Sequence, residues 1–136
     1  MAQETKACGC GGTGCAEPKK KKILLFSCSG AANVAEIADH VARQLTAEGY
    51  GQMFCLAGLG AGIPNMIQTA READLNFILD GCPLDCARLI FEKQGLTNVK
   101  VIRVTDHGIA KAKGVKITEE QVQMIVNLAK QTLAAA

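Results

Sequence analysis

The sequence predicts an α/β fold, a small doubly wound sheet of four parallel strands with helices on both faces. Two observations carry the prediction. Short apolar runs alternate four times with segments of helical periodicity, which implies parallel strands joined by right-handed crossovers. The first such run is continuously apolar rather than alternating, as expected of a strand buried on both faces. With 136 residues, the chain is long enough to bury one core without disulfide staples.

The first strand is Ile23-Leu24-Leu25-Phe26-Ser27, punctuated by Ser29-Gly30. A helix follows over 33–48, with Val34, Ile37, Ala38, Val41, Ala42 and Leu45 on one face and Gly49 closing it. Residues 52–57 (QMFCLA) read as the second strand. After it, Gly58 to Gly62 (GLGAG) reads as a flexible connection that lacks a P-loop lysine and a full G-x-G-x-x-G pattern. Pro64 suits the first turn of a helix running to about Ala73. Residues 75–79 (LNFIL) form the third strand, and a third helix is expected from Pro83 to Gln94, ending at Gly95. Residues 99–104 (VKVIRV) form the fourth strand. Thr118 and Gln121 then have capping-box spacing at the start of a last helix, which runs to about Ala134. The expected strand order is Rossmann/flavodoxin-like, with strand two beside strand one and the switch point between strands one and three.

Residues 1–18 are rich in glycine and small polar residues, lack periodicity and read as a flexible tail, leaving 19–136 as a single α/β domain. The tail has no apolar core of the kind a signal peptide needs, and no stretch reaches transmembrane length. These features point to a cytoplasmic protein without a membrane partner. A net charge of +2 and an aromatic content of 4% give neither the field nor the stacking platforms of a nucleic-acid binder. Lys19 to Lys22 read as a solvated approach to the first strand.

Seven cysteines in a reducing compartment read as metal ligands, redox centres or buried small hydrophobes. Cys28 lies just past the first strand, Cys55 late in the second, Cys82 just past the third and Cys86 a helical turn further on. Parallel strands end on one edge, so all four are expected to converge where such folds bind ligands. Four thiolates suit zinc, and equally an iron–sulfur cluster. The Cys82 to Cys86 spacing is expected to place both thiols on one face of a first helical turn, where the helix dipole favours thiolates. Each cysteine taken alone also reads as core packing, Cys55 in its apolar strand above all.

Four blocks in order, FSCSGAA (26–32), MFCLAG (53–58), DGCPLDCA (80–87) and RVTD (103–106), resemble the DGC-domain family of bacteria and archaea, described as zinc-binding. The resemblance covers essentially everything after the lysine run. It implies a zinc site on Cys28, Cys55, Cys82 and Cys86, and carries no settled activity with it.

Other patterns have weaker claims. Cys82 to Arg88 matches C-x5-R, the phosphatase signature, but Pro83 removes a backbone donor and no glycine lies inside the loop. The turn after Cys28 contains no arginine, which removes the low-molecular-weight phosphatase and arsenate reductase pattern. Asp80 is a candidate outer-shell acceptor or oxygen ligand, and Asp85 complements the helix dipole. His40 reads as a surface or packing histidine. His107 follows a strand end on the cysteine rim and is a candidate proton carrier or spare ligand. Cys8, Cys10 and Cys15 sit among glycines with nothing apolar to bury them, and are a candidate second metal or exchange site. Three functions remain in play. One is a metal-binding module for metal handling or sensing, acting alone or with a protein partner. The others are an iron–sulfur or dithiol redox protein, and an enzyme using zinc-bound water or a thiolate.

Overall fold

The computed structural model describes residues 18–136, so the expectations for the tail, including Cys8, Cys10 and Cys15, fall outside the described residues. The elements run in the order β1 (Ile23–Ser27), α1 (Asn33–Ala47), β2 (Gln52–Met53), α2 (Leu56–Gly60), α3 (Pro64–Arg71), β3 (Leu75–Asp80), α4 (Cys86–Lys93), β4 (Val99–Arg103), a 3₁₀ turn (Val104–His107) and α5 (Glu119–Ala134). The four strands form one sheet in the order β2-β1-β3-β4, every pair parallel. The order reverses between β1 and β3, as a doubly wound fold requires.

The central strands β1 and β3 carry the core. Leu24, Leu25 and Phe26 of β1, and Phe77, Ile78 and Leu79 of β3, are all buried. α1 lays Val34, Ile37, Ala38, Val41 and Leu45 against the sheet and packs beside α5, which contributes Val122, Ile125, Val126 and Ala129. On the other face, Phe26 meets Phe91 of α4 edge-to-face, with ring centroids 4.8 Å apart. α5 starts as expected. The Thr118 hydroxyl accepts from the Gln121 amide at 3.2 Å, and the Gln121 side chain accepts from the Thr118 amide at 3.1 Å.

Three elements depart from the sequence reading. The second strand stops at Met53, with one further ladder bond from Phe54 N–H to the Leu25 carbonyl. The chain must then turn inward to seat Leu59, which is fully buried, and a short helix does this where a flexible glycine connection was expected. A Cβ at Gly58 would stand 2.2 Å from Met66 Sδ, so a larger residue there would displace the end of the Met66 side chain. The third helix starts at Cys86 rather than Pro83, so Cys82 lies in a preceding turn and the two thiols do not share a first helical turn. The fourth strand ends at Arg103, and Val104 to His107 curl into a 3₁₀ turn. Among the described residues, no helix is long and apolar enough to cross a membrane.

Because Phe77 is fully buried in the central strand, Phe77→Ala is expected to lower the unfolding free energy by about 3–5 kcal/mol. Leu89→Ala, on an exposed face of α4, is expected to stay within about 0.5 kcal/mol of wild type. Urea denaturation of both variants checks the pair.

Candidate functional site

A cavity of about 140 Å³ opens at the carboxyl edge of the sheet, at the switch point between β1 and β3. Its lining comes from the start of α1, which supplies Val34 and Ala35, and from three further segments. The loop from β1 to α1 supplies Cys28 to Ala32, the loop from β3 to α4 supplies Asp80 to Cys82 and Leu84 to Cys86, and a strap near residue 112 supplies Lys111 and Lys113.

Cys28 is the inner member, buried at the foot of β1. Its sulfur accepts the Gly81 amide at 3.1 Å, which ties the two strand-end loops together. Burial pushes the thiol up to about 11, and the negative groups at Asp80, Cys86 and Cys82 add to the rise against the pull of the Gly81 N–H. Gly81 is itself fixed by a close approach. A Cβ there would meet the Val34 carbonyl carbon and side chain at 3.0 Å, so only glycine lets this loop lie against the start of α1.

Cys82 is half-buried, and Lys111 Nζ donates to its sulfur at 3.4 Å. Cys86 is exposed at the first position of α4. Cys55 stands at the cap position of α2 without a side-chain bond and is exposed; it follows β2, which ends at Met53, and does not line the cavity. Of the four thiols expected to converge, the structure therefore gathers three. No three Cys, His, Asp or Glu among the described residues stand close enough together to hold an ion as they are. The donor chemistry nevertheless fits a soft metal, since three thiols reach one small cavity beside a cationic neighbour.

The two aspartates of this loop have different tasks. Asp80, only 1% exposed, accepts the Ala87 and Arg88 amides at 2.9 and 3.0 Å, so it satisfies the first orphan donors of α4. Burial raises its carboxyl above the usual range despite those bonds. Asp85 stands in the left-handed region at φ 52°, and the Arg103 guanidinium grips both its oxygens at 2.8 and 2.6 Å. That fork, with desolvation opposing it and Arg88 assisting, holds the Asp85 carboxyl below the usual range. Arg88 turns to Asp85 and Glu92 and does not line the cavity, which agrees with setting aside the C-x5-R reading.

The lysine strap is held by Asn33. Its amide donates to the Ala110 carbonyl at 3.0 Å, its side-chain oxygen accepts from Ala112 at 2.8 Å, and its backbone N–H donates to the Ala112 carbonyl at 2.9 Å. The sequence reading took Asn33 only as a helix start and Arg103 only as part of the RVTD block, and it gave Lys111 and Lys113 no role. The only available signal was the polar, glycine-punctuated stretch between β4 and α5, which has no periodicity. His107 lies exposed on the 3₁₀ turn away from the cavity lining, and His40 is exposed on α1, 3.9 Å from Glu36.

With this geometry in hand, the comparisons decide the family. The DGC domain model matches residues 24–129. The chain belongs to the DGC-domain family. It is also similar to the anaerobic and virulence modulator AnvM of Pseudomonas aeruginosa, 32% identical over 91 residues that span 67% of this chain and 70% of that protein. No solved structure matches the chain. In this DGC domain the signature Asp80-Gly81-Cys82 has one reason per residue. Asp80 starts α4, Gly81 admits α1 and bonds Cys28, and Cys82 faces the cavity.

Two outcomes follow from these bonds. Asp80→Ala is expected to cost about 1–2 kcal/mol through the lost cap, read by thermal or urea unfolding. The Cys28 contribution is full below the ordinary thiol pKa of 9.0 and is lost as pH rises toward about 11, because the unfolded thiol ionises first. Stability is therefore expected to fall by on the order of 2 kcal/mol across that window. In Cys28→Ala that part of the fall should be missing.

Proposed function

We propose that this DGC domain holds a soft metal ion, zinc by preference, on the thiolates of Cys28, Cys82 and Cys86, as a metal-handling or sensing module. The observation that carries the reading is the arrival of three thiols, from two loops far apart in sequence, at one cavity on the switch-point edge. Cys28 and Cys82 sit at the ends of adjacent strands, which fixes their backbones, and Gly81 locks one loop to the other. The thiols must rotate inward to bind, and Cys28 must give up its proton, so uptake releases protons. Lys111 offsets the negative charge that three thiolates would bring together. When bound, the ion would supply a cross-link between the two loops and, with three protein thiolates, one open position. Cys55 and His107 lie outside the cavity lining and have no part in the ligand set proposed here. Asp80 stays with α4, where its bonds to Ala87 and Arg88 brace the loop that carries the thiols.

The Pseudomonas relative is named for modulation and not for a reaction. A site whose metal occupancy or thiol state changes suits such a role. The Lys111 contact to Cys82 favours a second reading, dithiol exchange between Cys82 and a neighbouring cavity thiol, because a cation beside a sulfur stabilises the attacking thiolate. Colour separates the iron–sulfur alternative, since a cluster prepared without oxygen is brown and a zinc protein is colourless.

Elemental analysis of anaerobically prepared protein, followed by cadmium titration read at the sulfur-to-cadmium charge-transfer band, tests the reading. One ion per chain is expected. Cys82→Ser should weaken binding by about tenfold or more, whereas Cys55→Ser should leave it unchanged. A wild type that takes up neither zinc nor cadmium would falsify the metal reading and leave dithiol exchange.

A further inference from the structure

The cavity has a cationic side beside Cys82, and the metal reading does not use all of it. Lys111 and Lys113 both line the cavity, and both are exposed, so neither belongs to the core. They are placed deliberately by the fold. Asn33 makes three bonds to Ala110 and Ala112, and Lys113 bridges Ala32 across the strap, which pins the segment over the start of α1. Ile109 anchors the near end of the strap in the core.

The acidic groups nearby are accounted for. Asp85 is neutralised by Arg103 and Arg88, and Arg103 in turn also holds Asp106. Asp80 is buried and turned to two backbone amides. Glu36 and Asp39, with His40, line an adjoining groove that shares Cys28 to Ala32 and Ala35 with the cavity; Asp39 is paired with Arg43, and Glu36 lies 3.9 Å from His40. The Ser29–Ala31 stretch also lines the cavity, and its backbone amides have no protein acceptor among the described residues. Two lysines and a stretch with unpartnered amides thus line a small space that also holds thiols.

We propose that this cavity is a receptor for a small anionic ligand, held by Lys111 and Lys113 with its reactive or soft end toward Cys82. A space of about 140 Å³ suits a carboxylate or oxyanion of about six non-hydrogen atoms. The inference shares the cavity of the metal reading but does not need the metal, so the two can fail separately.

The test uses the metal-free full-length chain and two alkylating reagents of similar shape, iodoacetate and iodoacetamide. With either, the Cys82 sulfur attacks the methylene carbon, the carbon–iodine bond breaks, iodide leaves and the thiol proton goes to solvent. Only the first reagent carries a carboxylate. Because a change in thiol reactivity affects both rates alike, their ratio reports anion recruitment alone. Peptide mass spectrometry at Cys82 should give a ratio about tenfold higher in wild type than in the Lys111→Met/Lys113→Met variant. Added sulfate should slow iodoacetate selectively. Equal ratios in the two proteins overturn the proposal, as does a wild-type preference that survives in the double variant. If Cys82 alkylates with neither reagent, sulfate titration followed by amide chemical shifts decides. Shifts at Gly30, Ala31 and Ala112 that disappear in the double variant support the site, and their absence in wild type rejects it. A protein that binds cadmium yet shows no anion preference keeps the metal reading and loses this one.

Discussion

The grip of Arg103 on Asp85 sets where α4 begins, and through it where two of the three cavity thiols stand. Asp85 occupies the left-handed region, which a side-chain-bearing residue enters at a cost and which Asp tolerates better than most. The two guanidinium bonds from Arg103 offset that cost, reaching across from the end of the neighbouring strand. With Asp85 so fixed, residues 82–85 close a turn, the Asp85 N–H donating to the Cys82 carbonyl at 3.1 Å, and the helix starts at Cys86. Asp80 then reaches past the turn to the Ala87 and Arg88 amides. Two carboxylates in one loop would repel if both were free. Here one is matched by guanidinium groups and held ionised, while the other is buried on backbone donors with its carboxyl raised. Cys82 and Cys86 are carried on the rigid frame that results.

The sheet was legible in the sequence because its strands announce themselves by composition. Ile23 to Ser27 and Leu75 to Leu79 are apolar runs bounded by polar or glycine residues, and the structure places both as central strands. The strand order followed from the Rossmann/flavodoxin-like arrangement that such alternation suggests. The capping box at Thr118 was equally readable, since it is a local device whose partners lie three residues apart. What misled was residue type without tertiary context. QMFCLA has the composition of a strand, yet Leu56 and Leu59 are spaced for a helical turn, and the need to bury Leu59 decides the outcome. Pro83 is a good opening residue for a helix. The αL turn at Asp85 overrides it, because its stabilising partner lies 18 positions away in β4.

The site was legible in part for the same reason. Cys28 and Cys82 were placed by strand ends, and the structure brings them to one cavity with Cys86. Cys55 was placed by an assumed strand end, and the shorter β2 leaves it outside. The cationic wall was invisible. Lys111 and Lys113 look like ordinary surface lysines in a stretch without period, and nothing near them in sequence says that they face thiols. The residue that places them, Asn33, stands at the opposite end of the chain and was read only as the start of a helix. Long-range polar bonds of this kind leave no periodic trace.

The charge balance of the cavity connects these parts. Cys28 is held neutral at ordinary pH by its burial, and the neighbouring Asp80, Cys86 and Cys82 would each oppose its ionisation. Thiols gathered around one cavity resist becoming a group of thiolates, because each new negative charge raises the cost of the next. Among the described residues, the positive charges that line the cavity come from one strap, which carries Lys111 and Lys113. Two kinds of occupant suit such a space. A soft cation is drawn by the sulfurs and lowers the cost of ionising them, while a small anion is drawn by the lysines and leaves Cys28 protonated. These occupants need not exclude each other, since a cation on three thiolates leaves both an open position and a cationic wall beside it. A cavity that couples thiol ionisation to the charge of what enters it would have the physical basis of a sensor, because under both proposals the same residues would respond to metal and to anion through one shared balance of charge.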